Sequence, residues 1–108
     1  MHFSNPYWSN MTKMELLEKW IIVHSIIYYE LNGNVVKDSV FDYNAKQLVY
    51  MIATDITSFE QTRWFYAMKD FDGNTGFDLY TRLNMDDREA LTLIARNILY
   101  YHKRKEAD

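Results

Sequence analysis

The segment HSIIYYELNGNVVKDSVFD, residues 24–42, decides the arrangement of the first half of the chain. Its first part has apolar residues at helical spacing and ends in a tyrosine pair at 28–29. The sequence Asn-Gly-Asn at 32–34 follows, and both residue types tolerate the left-handed backbone that ends a helix. Two aspartates then open a second helix, where acidic side chains are stabilised by the helix dipole. So short a connection predicts that the two helices pack as an antiparallel hairpin.

Capping signals and apolar stripes extend both helices beyond this segment. Thr12 and Glu15 form a capping box, so the first helix is predicted at 12–31. Its apolar face is Leu16, Trp20, Val23, Ile27 and Leu31. Asp38 is favoured over Lys37 as the cap of the second helix, predicted at 38–53. The apolar stripe of that helix is Phe41, Ala45, Leu48 and Ile52.

The second half of the chain predicts mixed structure. Residues 54–62 fit either a short helix or a turn, whereas 63–68 is rich in aromatics and favours a strand. Asp72-Gly73 is a hairpin-turn signal, and 76–80 supplies a returning strand. A capping box of Asp86 and Glu89 opens a last helix at 86–104, whose terminal cations suit the helix dipole. The predicted fold is therefore α+β, with a helical hairpin, a β-hairpin and a C-terminal helix.

Length and composition limit the classes of protein to consider. The 108 residues suffice for a single domain, with an arm at 1–11, the helical hairpin at 12–54 and the remainder at 55–108. The net charge of −3 argues against a nucleic-acid-binding face. The absence of cysteine excludes disulfides and fits a cytoplasmic location. No secretory signal is predicted, and no apolar run approaches the ~18 residues of a membrane span.

The loop end of the predicted hairpin gathers aromatic and acidic side chains. His24 and Tyr28 lie four residues apart on one helical face, and Tyr29 lies beside them. On the second helix, Asp38, Phe41 and Asp42 are spaced at i, i+3 and i+4 and therefore also share a face. Aromatic faces attract a cationic ring, and carboxylates accept hydrogen bonds from amides or ribose hydroxyls. The same residues would also serve as ordinary helix-dipole and core positions without any ligand.

This pattern resembles domain Ia of bacterial NAD-dependent DNA ligases, the hairpin that grips the nicotinamide mononucleotide half of NAD. The resemblance covers about residues 12–54, and it implies ligand contacts for Tyr28, Tyr29, Asp38, Phe41 and Asp42. Phe41 departs from the family, which has Tyr there, and Asn34 stands where the ligases commonly have Pro. The implied ligand is nicotinamide mononucleotide or NAD, held weakly because another ligase domain supplies half of the pocket wall.

Catalysis is not expected. The ligases need a lysine in a K-x-D-G motif within a separate nucleotidyltransferase domain, and the nearest string here, residues 69–73, is one residue too long. Residues 70–78 alternate oxygen-bearing side chains, but Thr75 and Thr81 replace the Gly and Glu that an EF-hand requires. Turn chemistry explains that segment better. The three histidines have no metal-ligand spacing, so no metal site is predicted.

The alternative function is protein binding. Small stand-alone proteins resembling this ligase fragment are a phage and prophage type, which suggests an inhibitor of a host nucleic-acid enzyme or of a defence system, in the manner of anti-CRISPR proteins. The predicted anchors are Trp8, Tyr80 and Tyr100, because Trp and Tyr are enriched at interfaces. Aromatics of the arm suit either docking on the domain or contact with a partner. Electrostatic mimicry of nucleic acid would instead use the acidic residues Asp70, Asp72, Asp78, Asp86 and Asp87.

Overall fold

The computed structural model describes residues 11–107, and every regular element in that range is helical. The elements are α1 (Lys13–Ser25), a π-helical turn (Ile26–Glu30), α2 (Asp38–Thr54), α3 (Ile56–Glu60), α4 (Phe65–Met68), α5 (Leu79–Arg82) and α6 (Met85–Ala107). None of these helices combines the length and apolar character needed to cross a membrane. Of the predicted arm, only Met11 lies within the described residues, and it packs against the core.

The first helix begins where its capping box predicts. The Glu15 backbone N–H donates to Thr12 Oγ1 at 3.1 Å, and the Thr12 N–H donates to Glu15 Oε1 at 3.1 Å. The other carboxylate oxygen of Glu15 accepts from the Arg63 backbone N–H at 2.8 Å. One side chain therefore caps α1 and also ties it to the segment before α4.

The end of the first helical segment contains a feature that the periodicity does not predict. Residues 26–30 form a π-helical turn instead of continuing the α-helix. Asn32 then takes the left-handed conformation (φ 54°), and the Gly33 N–H donates to Ile27 O at 2.8 Å. A Cβ at Gly33 would lie 2.7 Å from Leu99 Cδ1, so the glycine lets α6 pack closely against this end. The predicted stop at 32–34 is confirmed.

The second helix spans the predicted range, and its cap differs from the prediction. Lys37 occupies the cap position without a side-chain hydrogen bond, and Asp38 is the first helical residue. The preference for Asp38 as the cap is therefore wrong. Ala45 and Leu48 are fully buried where α2 packs on α1.

The prediction of an α+β fold is wrong, because the described residues contain no strand. The segments 63–68 and 76–80 were expected to pair as a β-hairpin, but the regular structure there consists of the single helical turns Phe65–Met68 and Leu79–Arg82. Trp64, Ala67 and Met68 are all fully buried, and this i, i+3, i+4 spacing belongs to a helix. The aromatic content of 63–68 favoured a strand, but the spacing of the buried residues is that of a helix. Gly73 does take positive φ (87°), but the turn follows a helical segment instead of joining two strands.

Side chains cap both α3 and α6. The segment 54–62, which fitted either a short helix or a turn, contains the helix α3, and the residue that caps α6 is not the predicted one. Asp55 caps α3, with the Ser58 N–H donating to its Oδ1 at 3.1 Å. At the start of α6, Asn84 Oδ1 accepts from the Asp87 N–H at 2.8 Å. Asp86 was predicted for that capping role, and it lies instead in the first turn.

One hydrophobic core joins the helices, and it encloses an acidic group. Trp64 and Met68 of the α4 region meet Ile21 of α1, Leu79 of α5 and Leu91 of α6 in this core. The side chain of Glu18 on α1 is also fully buried. Its Oε2 accepts from Thr62 Oγ1 at 3.1 Å, and its Oε1 has no hydrogen-bond partner. Burial raises the pKa of Glu18 to about 8, so this carboxyl is protonated at neutral pH.

Candidate functional site

A pocket of about 280 Å³ lies where the π turn meets the start of α2. The residues that the sequence analysis assigned to a ligand all line it: Tyr28, Tyr29, Asp38, Phe41 and Asp42. They come from two helices and from both sides of the connecting loop. The volume is near the lower end of the range for small-molecule sites, roughly 300 to 1,000 Å³.

The π turn places both tyrosines at the pocket. Tyr28 and Tyr29 meet edge to face, with ring centroids 4.9 Å apart. Tyr28 remains 55% exposed, so a face of its ring is free for stacking. Single π turns recur at functional sites because they re-aim side chains within a helix. Here the turn begins at Ile26, immediately before the tyrosine pair.

The opposite wall combines carboxylates with an aromatic ring. Asp38 and Asp42 are exposed and one helical turn apart at the start of α2. Phe41 lies half-buried between them in sequence and packs on the core. The described residues contain no cluster of three or more His, Cys, Asp or Glu that could hold a metal ion. The arrangement therefore offers hydrogen-bond acceptors and negative charge next to aromatic surface.

His24 also lines the pocket, from a buried position behind the exposed tyrosines. Its ring lies 4.3 Å from that of Trp20, which in turn lies 6.0 Å from that of Phe41. Burial lowers the pKa of His24 from its ordinary value of 6.5, so the imidazole is neutral at physiological pH. A neutral imidazole offers one donor and one acceptor to a ligand.

The remaining wall comes from the second half of the chain, which the sequence analysis did not connect with this site. Asn74 and Thr75 line the pocket. Thr75 Oγ1 lies 2.7 Å from the Tyr29 hydroxyl and accepts from the Phe77 backbone N–H at 3.2 Å. The Phe77 ring meets the Tyr29 ring edge to face at 5.3 Å. The loop thus holds one of the two pocket tyrosines in place.

Two glycines seat this loop on the hairpin. A Cβ at Gly76 would lie 1.8 Å from Ser25 Oγ at the end of α1, and one at Gly73 would lie 2.8 Å from Val49 Cγ2 on α2. We call the segment Gly73–Gly76 the bridging loop, since it contacts both helices of the hairpin. The signal available in the sequence was the spacing Gly-Asn-Thr-Gly, two small residues flanking a polar pair.

Turn chemistry shapes the loop before Gly73. Asp72 Oδ1 accepts from the Asn74 backbone N–H at 2.9 Å, and this hydrogen bond lowers the pKa of Asp72. The carboxylate is thus engaged with the backbone, as the interpretation of 70–78 as a turn predicts.

The predicted partner-binding aromatics lie apart from the pocket. Trp8 is outside the described residues. Tyr80 is half-buried, with the Arg88 guanidinium 4.8 Å from its ring centroid, and it borders a second depression of about 560 Å³ along α6. Tyr100 is 56% exposed near the end of α6, with the Tyr101 ring 5.2 Å away. Of the two described residues, Tyr80 lines the second depression and Tyr100 lines neither cavity.

Comparison with protein-family models, curated protein sequences and solved structures gives no match for this chain.

Proposed function

We propose that the chain is a non-catalytic binding module whose pocket takes a nicotinamide nucleotide. The observation that carries the proposal is the convergence of five residues, assigned from the resemblance to ligase domain Ia, on one pocket: Tyr28, Tyr29, Asp38, Phe41 and Asp42. The sequence alone placed them on two separate helices.

The chemistry of the walls suits this ligand. The exposed face of Tyr28 can stack on the cationic nicotinamide ring, an interaction that contributes about 0.5–2 kcal/mol. Asp38 and Asp42 can accept hydrogen bonds from ribose hydroxyls or from the carboxamide. His24 and Asn74 add neutral polar groups that can pair with the carboxamide. The cationic ring, the carboxamide and the ribose hydroxyls therefore each have a chemically matched side chain within the pocket.

The bridging loop bears on the strength of binding. In the ligases, part of the pocket wall belongs to another domain, and the sequence analysis therefore predicted weak binding. Asn74 and Thr75 supply wall from within this chain. We therefore propose that the isolated protein binds the ligand without a second domain. We place this binding in the cytoplasm, because a chain without cysteine suits a reducing compartment.

Calorimetric titration with nicotinamide mononucleotide tests the proposal. We expect a single site whose heat disappears in Asp42→Ala and in Tyr28→Ala. Tyr101→Ala is the matched control, because it also removes an exposed tyrosine of a helix but lies outside the pocket. Absence of heat and of spectral change at millimolar ligand, with the protein folded, would retire the proposal.

Protein binding remains a second candidate, and the exposed tyrosine pair of α6 favours it. Tyr100 and Tyr101 are both more than half exposed, and the Arg104 guanidinium lies 5.8 Å from the Tyr100 ring centroid. Tyrosine and arginine are enriched in interface anchors. In this candidate the chain inhibits a host nucleic-acid enzyme or defence system by covering a surface of it.

Capture from bacterial lysate on the immobilised chain tests the second candidate. A specific partner should be retained at moderate salt by the wild-type chain and lost from Tyr100→Ala, with Tyr43→Ala as the control for an exposed tyrosine on another helix. Retention that vanishes at moderate salt would indicate electrostatic mimicry by the acidic residues instead.

A further inference from the structure

The charges around the pocket are of one sign. Among the described residues that line it, the only charged side chains are the two carboxylates Asp38 and Asp42, and none is Lys or Arg. His24 is the basic side chain among the described lining residues. Burial lowers its pKa and so keeps the imidazole neutral near pH 7. From the described lining, a ligand meets two formal negative charges, and the partial positive charge at the N-terminus of α2, roughly half a unit charge, offsets them only in part.

The cation closest in sequence is outside the wall. Lys37 lies between the lining residues Val36 and Asp38, but its own side chain is exposed and does not line the pocket. An exposed ammonium on a flexible stem interacts weakly with a phosphate, because water and salt screen the pair. Phosphate recognition in proteins generally uses Arg, Lys or a cluster of backbone N–H groups aimed at the anion.

From these charges we infer that the pocket selects a cationic aromatic nucleoside without a phosphate, of the kind of nicotinamide riboside, over its 5′-phosphate. The inference rests on the proposed function, since it specifies which form of the nicotinamide ligand the same site takes. The riboside retains the positive ring for Tyr28 and the hydroxyls for Asp38 and Asp42. The mononucleotide adds about two negative charges, and the same two carboxylates repel them.

The size of the discrimination follows from the Coulomb interaction. A phosphate held several ångströms from two carboxylates in a solvent-exposed pocket is disfavoured enough to weaken binding about tenfold. The difference should shrink as salt is added, because exposed charges are screened over a Debye length of roughly 10 Å at 0.1 M. The riboside alone should show little dependence on salt beyond its own single charge.

Parallel titrations of nicotinamide riboside and nicotinamide mononucleotide at low salt, followed by NMR chemical shifts, test the inference. We expect the riboside to bind about tenfold more tightly, and Asn74→Lys, which adds a cation to the wall, to narrow or reverse that ratio. Equal or tighter binding of the mononucleotide would overturn the inference while leaving the proposed function intact. If the mononucleotide bound more tightly to the wild type and this advantage disappeared in Lys37→Gln, Lys37 would hold the phosphate, and the inference would likewise be overturned.

A different result separates the two proposals. If neither compound shifts any pocket resonance at millimolar concentration while the protein remains folded, the proposed function fails and the inference with it. The 1-methylnicotinamide cation, methylated on the ring nitrogen, and uncharged nicotinamide complete the series. Tighter binding of the methylated cation supports recognition of the ring's charge, and indifference between the two contradicts it.

Discussion

Glu18 allows a quantitative test of the packing between α1 and the segment that precedes α4. The fully buried side chain has one hydrogen bond, from Thr62. Burial, and to a smaller extent the charge of Glu15, raise the pKa of the carboxyl to about 8, whereas the Thr62 hydrogen bond lowers it. In the unfolded chain the ordinary value is 4.5. The folded protein therefore holds a proton that the unfolded chain releases in this pH range.

The sign and magnitude follow from that difference. A carboxyl with a raised pKa contributes its full stability below pH 4.5 and loses it as pH rises toward 8. Each pH unit within this window costs about 1.4 kcal/mol, so the loss at pH 7 is about 3 kcal/mol. Glu18→Gln keeps the shape and cannot ionise, so it should remove this part of the pH dependence.

Urea unfolding, monitored by tryptophan fluorescence between pH 4.5 and 8, measures the effect. The useful quantity is the difference in unfolding free energy between wild type and Glu18→Gln at each pH, since all other titrating groups cancel. We expect the difference to move by about 3 kcal/mol in favour of the variant from pH 4.5 to pH 7. Glu60→Gln, at an exposed carboxylate, should leave the slope unchanged. Parallel curves for wild type and Glu18→Gln would refute the assignment of a buried, protonated carboxyl.

Three further predictions concern the pocket. Phe41→Tyr restores the hydroxyl of the ligase pattern and should strengthen binding of nicotinamide mononucleotide by about 0.5–1.5 kcal/mol, measured by calorimetry, the net contribution of one hydrogen bond; unchanged affinity would mean that the ring edge does not face the ligand. Gly76→Ala should displace the bridging loop from Ser25, which should lower the free energy of unfolding by about 1–3 kcal/mol through overpacking and weaken ligand binding. If the variant kept wild-type stability and affinity, the loop would adapt freely to the added methyl group. Because the pKa of His24 is lowered from 6.5, affinity for a cationic ring should fall in acidic solution as the imidazole gains charge. His24→Gln should make that fall smaller, and an unchanged pH profile would contradict a role for His24.

The helical hairpin was predictable because its signals are local. The capping box at Thr12 and Glu15, the apolar stripe of α2 and the Asn-Gly-Asn stop each act within a few residues, and the observed helices agree with them. The predicted apolar face of the first helix is only partly right, because Val23 and Ile27 are buried but Leu16 is 51% exposed. The assignment of the pocket residues to a ligand came from the resemblance to ligase domain Ia, and helical periodicity on both sides of a short loop predicted only that they share faces at one end of the hairpin. What periodicity could not supply was the π turn, because widening a turn by one residue leaves no signature in the spacing of apolar residues.

The second half was mispredicted because tertiary packing determines it. Residues 63–68 have the aromatic content of a strand, yet Trp64 and Met68 are buried together in a single helical turn. The role of Asn74 and Thr75 depends on contacts that are distant in sequence. Tyr29 and Thr75 are far apart along the chain but only 2.7 Å apart in space. A close approach between Gly76 and Ser25 is likewise invisible until both segments are placed.

Amide spectra of ¹⁵N-labelled protein, recorded during titration with nicotinamide riboside, locate any bound ligand residue by residue. If the ligand lies between α1, α2 and the bridging loop, the largest shifts should occur at Gly33 in the hairpin connection and at Asn74 and Thr75 in the bridging loop, which line the pocket from two separate segments. The amide of Ser58 in α3, which follows the opposite end of α2 from Asp38 and Asp42, should not move, and Asp42→Ala should suppress all of the shifts. Spectra that remain unchanged at millimolar riboside and millimolar mononucleotide, or shifts confined to α6, would contradict a nicotinamide site in this pocket.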